Sequence, residues 1–455
     1  MTGVPAGSGL LGEVWPLLGL EGVPPPLRVR GATGLAGVLP VPDLALGAVA
    51  AQLAAARLLG GGAGAGTDGG ADGGADGGAP LDLDAAAVGL AFRSERYAAV
   101  AGRPVAPGFH PLSRFWPTAD GWLRLHANYP HHRAAALAVL GPDVARAAAR
   151  APAAELESAV VAAGGAAAAV REPGVWAASP PGRAVAGRPL VALRRAVPGP
   201  PRGPAAGGPR VLDLTRVIAG PVATRTLASH GADVLRLDGP RLPEDPGQLV
   251  DTGPGKRHAV LDLASAAGRR TADELLAAAD VVVQGYRPGA LDRLGLAPEA
   301  VLERHPHLVV VRLSAWGAEG PWGGRRGFDS LVQAATGIAA VCGDGATPGV
   351  LPAQALDHAT GHLAAAAVLA ALHRRRTEGG GWFGELSLAR TAAALLAAPR
   401  TGPEDGVPPD DPGPWLVRLP SPDGEVALVG PPGSPPWTAP ARLLGDAPPA
   451  WRAPG

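Results

Sequence analysis

The 455-residue chain carries one cysteine, Cys342, and one lysine, Lys256. A lone thiol excludes an intrachain disulfide and any metal site made of clustered cysteines, and it fits a reducing compartment. Neither charge is in excess: Lys+Arg number 40, Asp+Glu number 40, and the formal net charge is +0 at pH 7. Without a broad basic field nucleic acid is not an expected partner, and any anion must be held by a local group of cations. The opening residues, MTGVPAGSGLLGEVWPLLGLEG, lack the basic start of a signal peptide. No apolar run reads as a membrane span, so the expectation is a cytoplasmic protein with no membrane partner.

Bulky side chains are scarce as well, with aromatic residues at 4%. Alanine-rich segments stand where a core normally uses larger groups, so intrinsic propensity carries less information than usual. Nearly every basic residue is arginine, which makes Lys256 stand out as a lysine kept against the bias of the rest.

Linkers divide what remains. Residues 1–59 are a helical segment whose run from Leu39 to Leu59 is apolar almost all round and is expected to be buried. Residues 60–79 are a low-complexity Gly/Ala/Asp linker. Inside it, GAGTDG has the spacing of a dinucleotide loop but no strand before it or helix after it. The spaced Asp68, Asp72 and Asp76 read as a solvated linker rather than a calcium site. Residues 80–196 return to order, with an Asp120-Gly121 turn before the alternating Trp122, Leu123, Arg124 and Leu125. His126, His131 and His132 lie close in sequence, yet without a carboxylate or cysteine in register no metal site is expected there. The Pro/Gly linker at 197–208 is the clearest boundary; 209–400 form the next unit and 401–455 a short remainder.

The stretch PRVLDLTRVIAGPVATRTLASHGADVLRLD, Pro209 to Asp238, reads as strand, loop, helix and strand. Two strands joined by one helical crossover lie parallel, and ligands of such sheets sit beyond the strands' carboxyl ends, here at Thr215 to Ala219. Further strands at His258 to Leu263, Asp280 to Val283 and Leu308 to Leu313 alternate with helical patterns. This predicts an α/β fold, a doubly wound parallel sheet with a smaller α+β domain. No loop carries G-x-G-x-x-G or G-x-x-x-x-G-K-[ST], so neither a nicotinamide nor a nucleotide triphosphate site is indicated.

A search for repeats adds a second layer. Leu39 to Leu59 resembles Leu351 to Leu372, each with an aspartate near the helix start, Asp43 and Asp357. Leu81 to Arg96 resembles Leu386 to Arg400, and the Asp120-Gly121 turn resembles Asp423-Gly424. The chain thus reads as two unequal copies, the first without the parallel-sheet part and the second cut short after its small-domain turn.

Residues 209 to 400 resemble the class III CoA-transferases, the CaiB/BaiF group that includes formyl-CoA transferase, carnitine CoA-transferase and α-methylacyl-CoA racemase. The resemblance rests on VLDLTRVIAGP, GADVLRLD, GKRHAVLDL, DVVVQGYRPGALDRLGL, HPHLVVVRLSAWGAEGPW and GFDSLVQAATG, in that order, followed by the helix bearing Asp357. Residues 39 to 195 resemble the distal part of the same family. The resemblance implies a Rossmann-like sheet domain and an acyl-CoA:carboxylate CoA-transferase with no tightly bound cofactor and no metal. Its substrates would be acyl-CoA and a small carboxylic acid. It further implies that Asp357 is the nucleophile, and that Arg216, Val217 and Ala219 line the CoA loop with Leu261 beside the nucleotide. Gly285, Tyr286, Ala290 and Arg293 would form the next wall, and Arg326 to Asp329 would lie near the thioester. Gly285, Gly239 and Ala264 depart from the family's usual asparagine, arginine and lysine, which leaves phosphate binding to Arg241, Lys256 or Arg293. Lys256 and Arg257 follow Gly253-Pro254-Gly255, and paired cations after loop glycines suit phosphates.

The chemistry needs a carboxylate that attacks a thioester and donors for the oxyanion, here assigned to the glycine loop Gly343 to Gly349. Taken alone, an aspartate near a helix start reads as an N-cap, and His358 with His362 read as core histidines. Two alternatives stand beside the transferase: a 2-methylacyl-CoA racemase, for which Phe328 occupies the position of the needed histidine, and a non-catalytic CoA-binding scaffold. Family members form interlocked dimers, which implies either a homodimer or an intramolecular pseudo-dimer of the two copies.

Overall fold

The computed structural model describes residues 7–60, 78–105, 108–204, 207–400, 406–439, 445 and 447–452. The spaced aspartates Asp68, Asp72 and Asp76 and the GAGTDG sequence lie outside the described residues. Runs of valine and leucine that are apolar on both sides build a seven-stranded sheet. Its strands are Ala192–Val197 (β1), Arg210–Leu214 (β2), Asp233–Asp238 (β3), Lys256–Val260 (β4), Val281–Gln284 (β5), Val309–Ser314 (β6) and Gly381–Ser387 (β7). They lie in the order β4-β3-β2-β5-β6-β7-β1, all pairs parallel except β7 with β1. Strand order reverses beside β2, so the carboxyl ends of β2, β3, β5 and β6 border one crevice.

Two helices press on one face of this sheet, and a third packs against the longer of them. Val41–Gly60 (α1) and Ala219–Ser229 (α2) flank Ala355–Glu378 (α3), whose residues from Ala355 to Leu372 are buried. Small side chains permit this closeness: at Gly361 a Cβ would stand 2.6 Å from the Ala219 carbonyl oxygen and 2.9 Å from Val222. At its far end α3 is anchored by fully buried Arg375, which donates to Asp280 Oδ1 at 2.8 Å and to the His307 carbonyl at 2.8 Å. One expectation is corrected here. Both α1 and α3 are long and apolar enough by composition to cross a membrane, yet α3 is enclosed by the chain's own core. Alanine repeats raise hydropathy without bulk, and that combination suits tight helix packing as well as lipid.

The linker at 197–208 does not separate two bodies, because β1 lies before it and closes the edge of the sheet that follows it. Likewise Ala99–Val100 pairs with Val426–Val429, so residues on both sides of the linker share one four-stranded sheet. A third sheet, Phe115–Pro117, Trp122–Leu125 and Ala167–Ala169, carries the helix Pro130–Leu140 on its margin.

Candidate active site at the carboxyl edge of the sheet

Where β2 ends, Thr215 donates to Asp213 Oδ1 from its hydroxyl at 2.5 Å and from its backbone N–H at 3.0 Å, which turns the chain out of the sheet. Val217 follows with φ of 68°, a left-handed value that a β-branched residue seldom adopts. The loop then enters α2 at Ala219. Around it opens a cavity of about 690 Å³, within the range of small-molecule sites. Arg216, Val217, Ala219, Leu261, Gly285, Tyr286, Ala290, Arg293, Arg326 and Asp357 all line it. Gly285 fits because a Cβ there would stand 3.1 Å from Thr215 Cβ.

Asp357 sits in the first turn of α3, but it is not a helix cap. The N-cap residue is Gln354, and the Asp357 carboxyl oxygens make no hydrogen bond to any described residue; they open on the cavity. Its backbone N–H donates to Asp329 Oδ2 at 3.0 Å. Burial, then the charges of Asp329 and Glu95, hold the Asp357 carboxyl well above the usual carboxylate range. Asp329, fully buried, is pushed up to about 6 by burial against the hydrogen bonds it accepts from the Asp357 N–H and Gln333. Glu95 faces His358 Nε2 at 3.6 Å; burial raises its carboxyl, and His358 outweighs this and leaves it below the ordinary value. The site therefore holds an acid that is protonated more readily than usual and, once ionised, is a poorly solvated and hence reactive nucleophile.

Part of the wall comes from a region that the sequence marked only by its histidines. Tyr129, His131 and His132 line the cavity beside Arg216 and Arg326, with Tyr129 5.1 Å under the Arg216 guanidinium. Phe328, also in the lining, stacks on His126 at 3.6 Å between ring centroids. Burial drives His126 and His132 down to about 3, so both are neutral imidazoles. Among the described residues, no three His, Cys, Asp or Glu side chains are grouped to hold a metal. His358 and His362 pack on Phe92, at 5.4 and 5.8 Å between ring centroids.

Three expected contacts, Lys256, Arg257 and the 343–349 loop, are corrected. Lys256 is not in the lining: its ammonium is buried, 3.1 Å from Asp213 Oδ2 and 2.9 Å from the Pro221 carbonyl oxygen. Being the first residue of β4, it points inward, and alternation sends Arg257 the other way, to Asp233 at 2.9 Å and the Ala450 carbonyl at 2.6 Å. Lys256 therefore braces Asp213, the residue that turns the loop. Lys256→Met should lower stability by about 3 kcal/mol, because it strands a buried carboxylate. Denaturant unfolding reads this directly. The 343–349 loop is likewise absent from the lining; Asp344 and Thr347 close it on themselves, and Trp122 Nε1 donates to its Ala346 carbonyl.

The cavity's cations fall into two sets. Arg216 is engaged by Glu244 and by the carbonyls of Leu242 and Pro243, and Arg325 by Glu157 at 2.6 Å. Arg241, Arg287, Arg293 and Arg326 line the cavity with guanidinium groups that bond to no described residue. Four unpaired guanidinium groups and one reactive carboxyl in a single crevice suit a polyanionic ligand with an electrophilic end.

Comparison with known proteins relates part of the chain to one family. Residues 207–405 match the model of CoA-transferase family III. A probable fatty acyl-CoA transferase of Mycobacterium tuberculosis is 36% identical over 184 residues, covering 37% of this chain and 47% of that protein. A succinyl-CoA:glutarate CoA-transferase of Mus musculus is 32% identical over 202 residues, covering 42% of this chain and 46% of that one. The chain spans about half the length of these relatives. A crystal structure of a hypothetical protein from Mycobacterium tuberculosis superposes with a TM-score of 0.40 at 33% identity, over 44% of this chain and 58% of that one.

Proposed function

We propose, from the match of residues 207–405 to the model of CoA-transferase family III, that this chain moves CoA between carboxylic acids through a thioester formed on Asp357. The observation that carries this reading is Asp357 itself: a carboxyl that bonds to no described residue, facing a cavity whose lining includes four arginines with guanidinium groups that bond to no described residue. Its carboxylate attacks the thioester carbonyl of acyl-CoA, giving a mixed anhydride and releasing CoA thiolate. The thiolate attacks the aspartyl carbonyl carbon and expels the first acid as its carboxylate. An incoming acid then attacks the aspartyl thioester and repeats the sequence in reverse, so thioester energy is conserved. Arg241, Arg287 and Arg293 suit the phosphates of CoA, and Arg326 lies beside Phe328 in the same lining.

A racemase needs a second proton carrier at the reacting carbon, and Phe328 has none to offer. A scaffold role would leave the acyl group in place. Incubation of an acyl-CoA with an isotope-labelled free acid separates these: label entering the CoA pool supports transfer, α-proton exchange alone supports a racemase, and binding alone supports a scaffold. Arg293→Ala or Arg241→Ala should raise the KM for acyl-CoA about tenfold with less change in kcat, the value of one charge-assisted contact made before and during reaction. An unchanged KM in both variants would remove these arginines from the phosphate site.

A further inference from the structure

The left-handed Val217 needs something to hold it, and its backbone N–H donates to Glu244 Oε2 at 3.0 Å. Glu244 is 5% exposed and does not line the cavity, yet Val217, Tyr129 and Arg216, which it holds, do. Its Oε1 accepts the Tyr129 hydroxyl at 2.7 Å, and the Arg216 guanidinium lies 3.4 Å away. Arg236, fully buried, approaches Glu244 Oε2 at 3.4 Å and fixes Asp238 at the end of β3 with bonds of 2.6 and 3.1 Å. One buried carboxylate thus meets three parts of the cavity wall: the loop after β2, the end of β3, and the Tyr129–His132 stretch contributed from before the linker.

We propose that Glu244 is a positioning residue for acyl-CoA, which holds the 215–219 loop in its ligand-accepting shape and, through the Tyr129 hydroxyl, fastens the Tyr129–His132 wall over it. Two things set this apart from ordinary packing. Glu244 holds Arg216 over the Tyr129 ring, so that this guanidinium serves the wall and the ligand is left to the unpaired arginines. It also holds a strained backbone that faces the ligand, where strain persists only if the surroundings fix it. The inference rests on the transferase reading given above.

The test compares the full chain with Tyr129→Phe and Glu244→Gln. The first deletes only the hydroxyl and keeps the ring under Arg216; the second keeps size and removes charge. Calorimetric titration with CoA and steady-state KM and kcat for acyl-CoA are read beside thermal stability. Tyr129→Phe is expected to weaken CoA binding and raise KM about fivefold with a smaller change in kcat and an almost unchanged melting temperature. Glu244→Gln is expected to weaken binding by more than tenfold. If Glu244→Gln does not fold, Tyr129→Phe decides alone. A lowered melting temperature with unchanged CoA affinity and KM would make the cluster purely structural and overturn the inference. Wild-type protein that binds no CoA and exchanges no label would instead overturn the transferase reading beneath it.

Discussion

Asp357→Asn is expected to lower the transfer rate by at least about a thousandfold while leaving CoA affinity within a few-fold and the fold intact. The amide keeps the size of the carboxyl and fits a position where the side chain makes no hydrogen bond to any described residue that the substitution could break. Stability should respond in a definite direction. Because burial and the nearby Asp329 and Glu95 raise Asp357 in the folded state, its contribution to stability is full below its ordinary value and is lost as pH rises through the raised one. Above the ordinary carboxylate range the wild type therefore carries a penalty, in proton uptake or in buried charge, that Asn lacks, so the melting temperature of the variant should equal or exceed that of the wild type there. The gain should shrink on acidification. Asp43 offers a control on the paired helix α1: it accepts the Gly7 N–H at 3.1 Å and stands outside the cavity lining. Asp43→Asn should keep most activity.

The second large effect concerns the division of the chain. Residues 208–455 expressed alone should be poorly soluble or inactive, and co-expression with residues 1–204 should restore transfer. Removing the first part strips β1 from the sheet edge, α1 from the buried side of α3, and the Tyr129–His132 wall from the cavity. It also removes buried polar links that cannot be replaced by water alone: Ser94 lies 3.0 Å from both Asp251 Oδ2 and Arg225 Nη2, and Phe92 covers His358 and His362. Stranding such groups costs more than the net worth of each bond. On this account the first part serves the second as a partner subunit would. Size-exclusion chromatography of the separate and mixed fragments, with transfer assays, tests it. A monodisperse, fully active 208–455 fragment would sink the idea.

Much of the sheet was legible because its strands are short apolar runs broken by turn residues, the strongest local signal a chain can give. The ordered loop sequences likewise pointed to Asp357 and to most of the cavity lining. The errors arose where local chemistry and tertiary position part company. Lys256 after loop glycines resembles a phosphate contact, but strand alternation decides which way it faces, and its partner Asp213 is 43 residues away. The Glu244–Tyr129 bond spans 115 residues, and no spacing rule reaches that far. Apolar length in α1 and α3 is ambiguous for another reason: a helix buried on all sides and a helix in lipid have the same composition.

The central claim is covalent chemistry at one carboxyl, and mass spectrometry tests it most directly. Wild-type protein is incubated with acyl-CoA, quenched, treated with borohydride or hydroxylamine to capture an aspartyl thioester, and digested for peptide mapping. The account predicts a modified peptide containing Asp357, absent when acyl-CoA is omitted and absent in Asp357→Asn. Modification at Asp43 or at any other carboxylate, or label exchange that proceeds at the wild-type rate in Asp357→Asn, would contradict it.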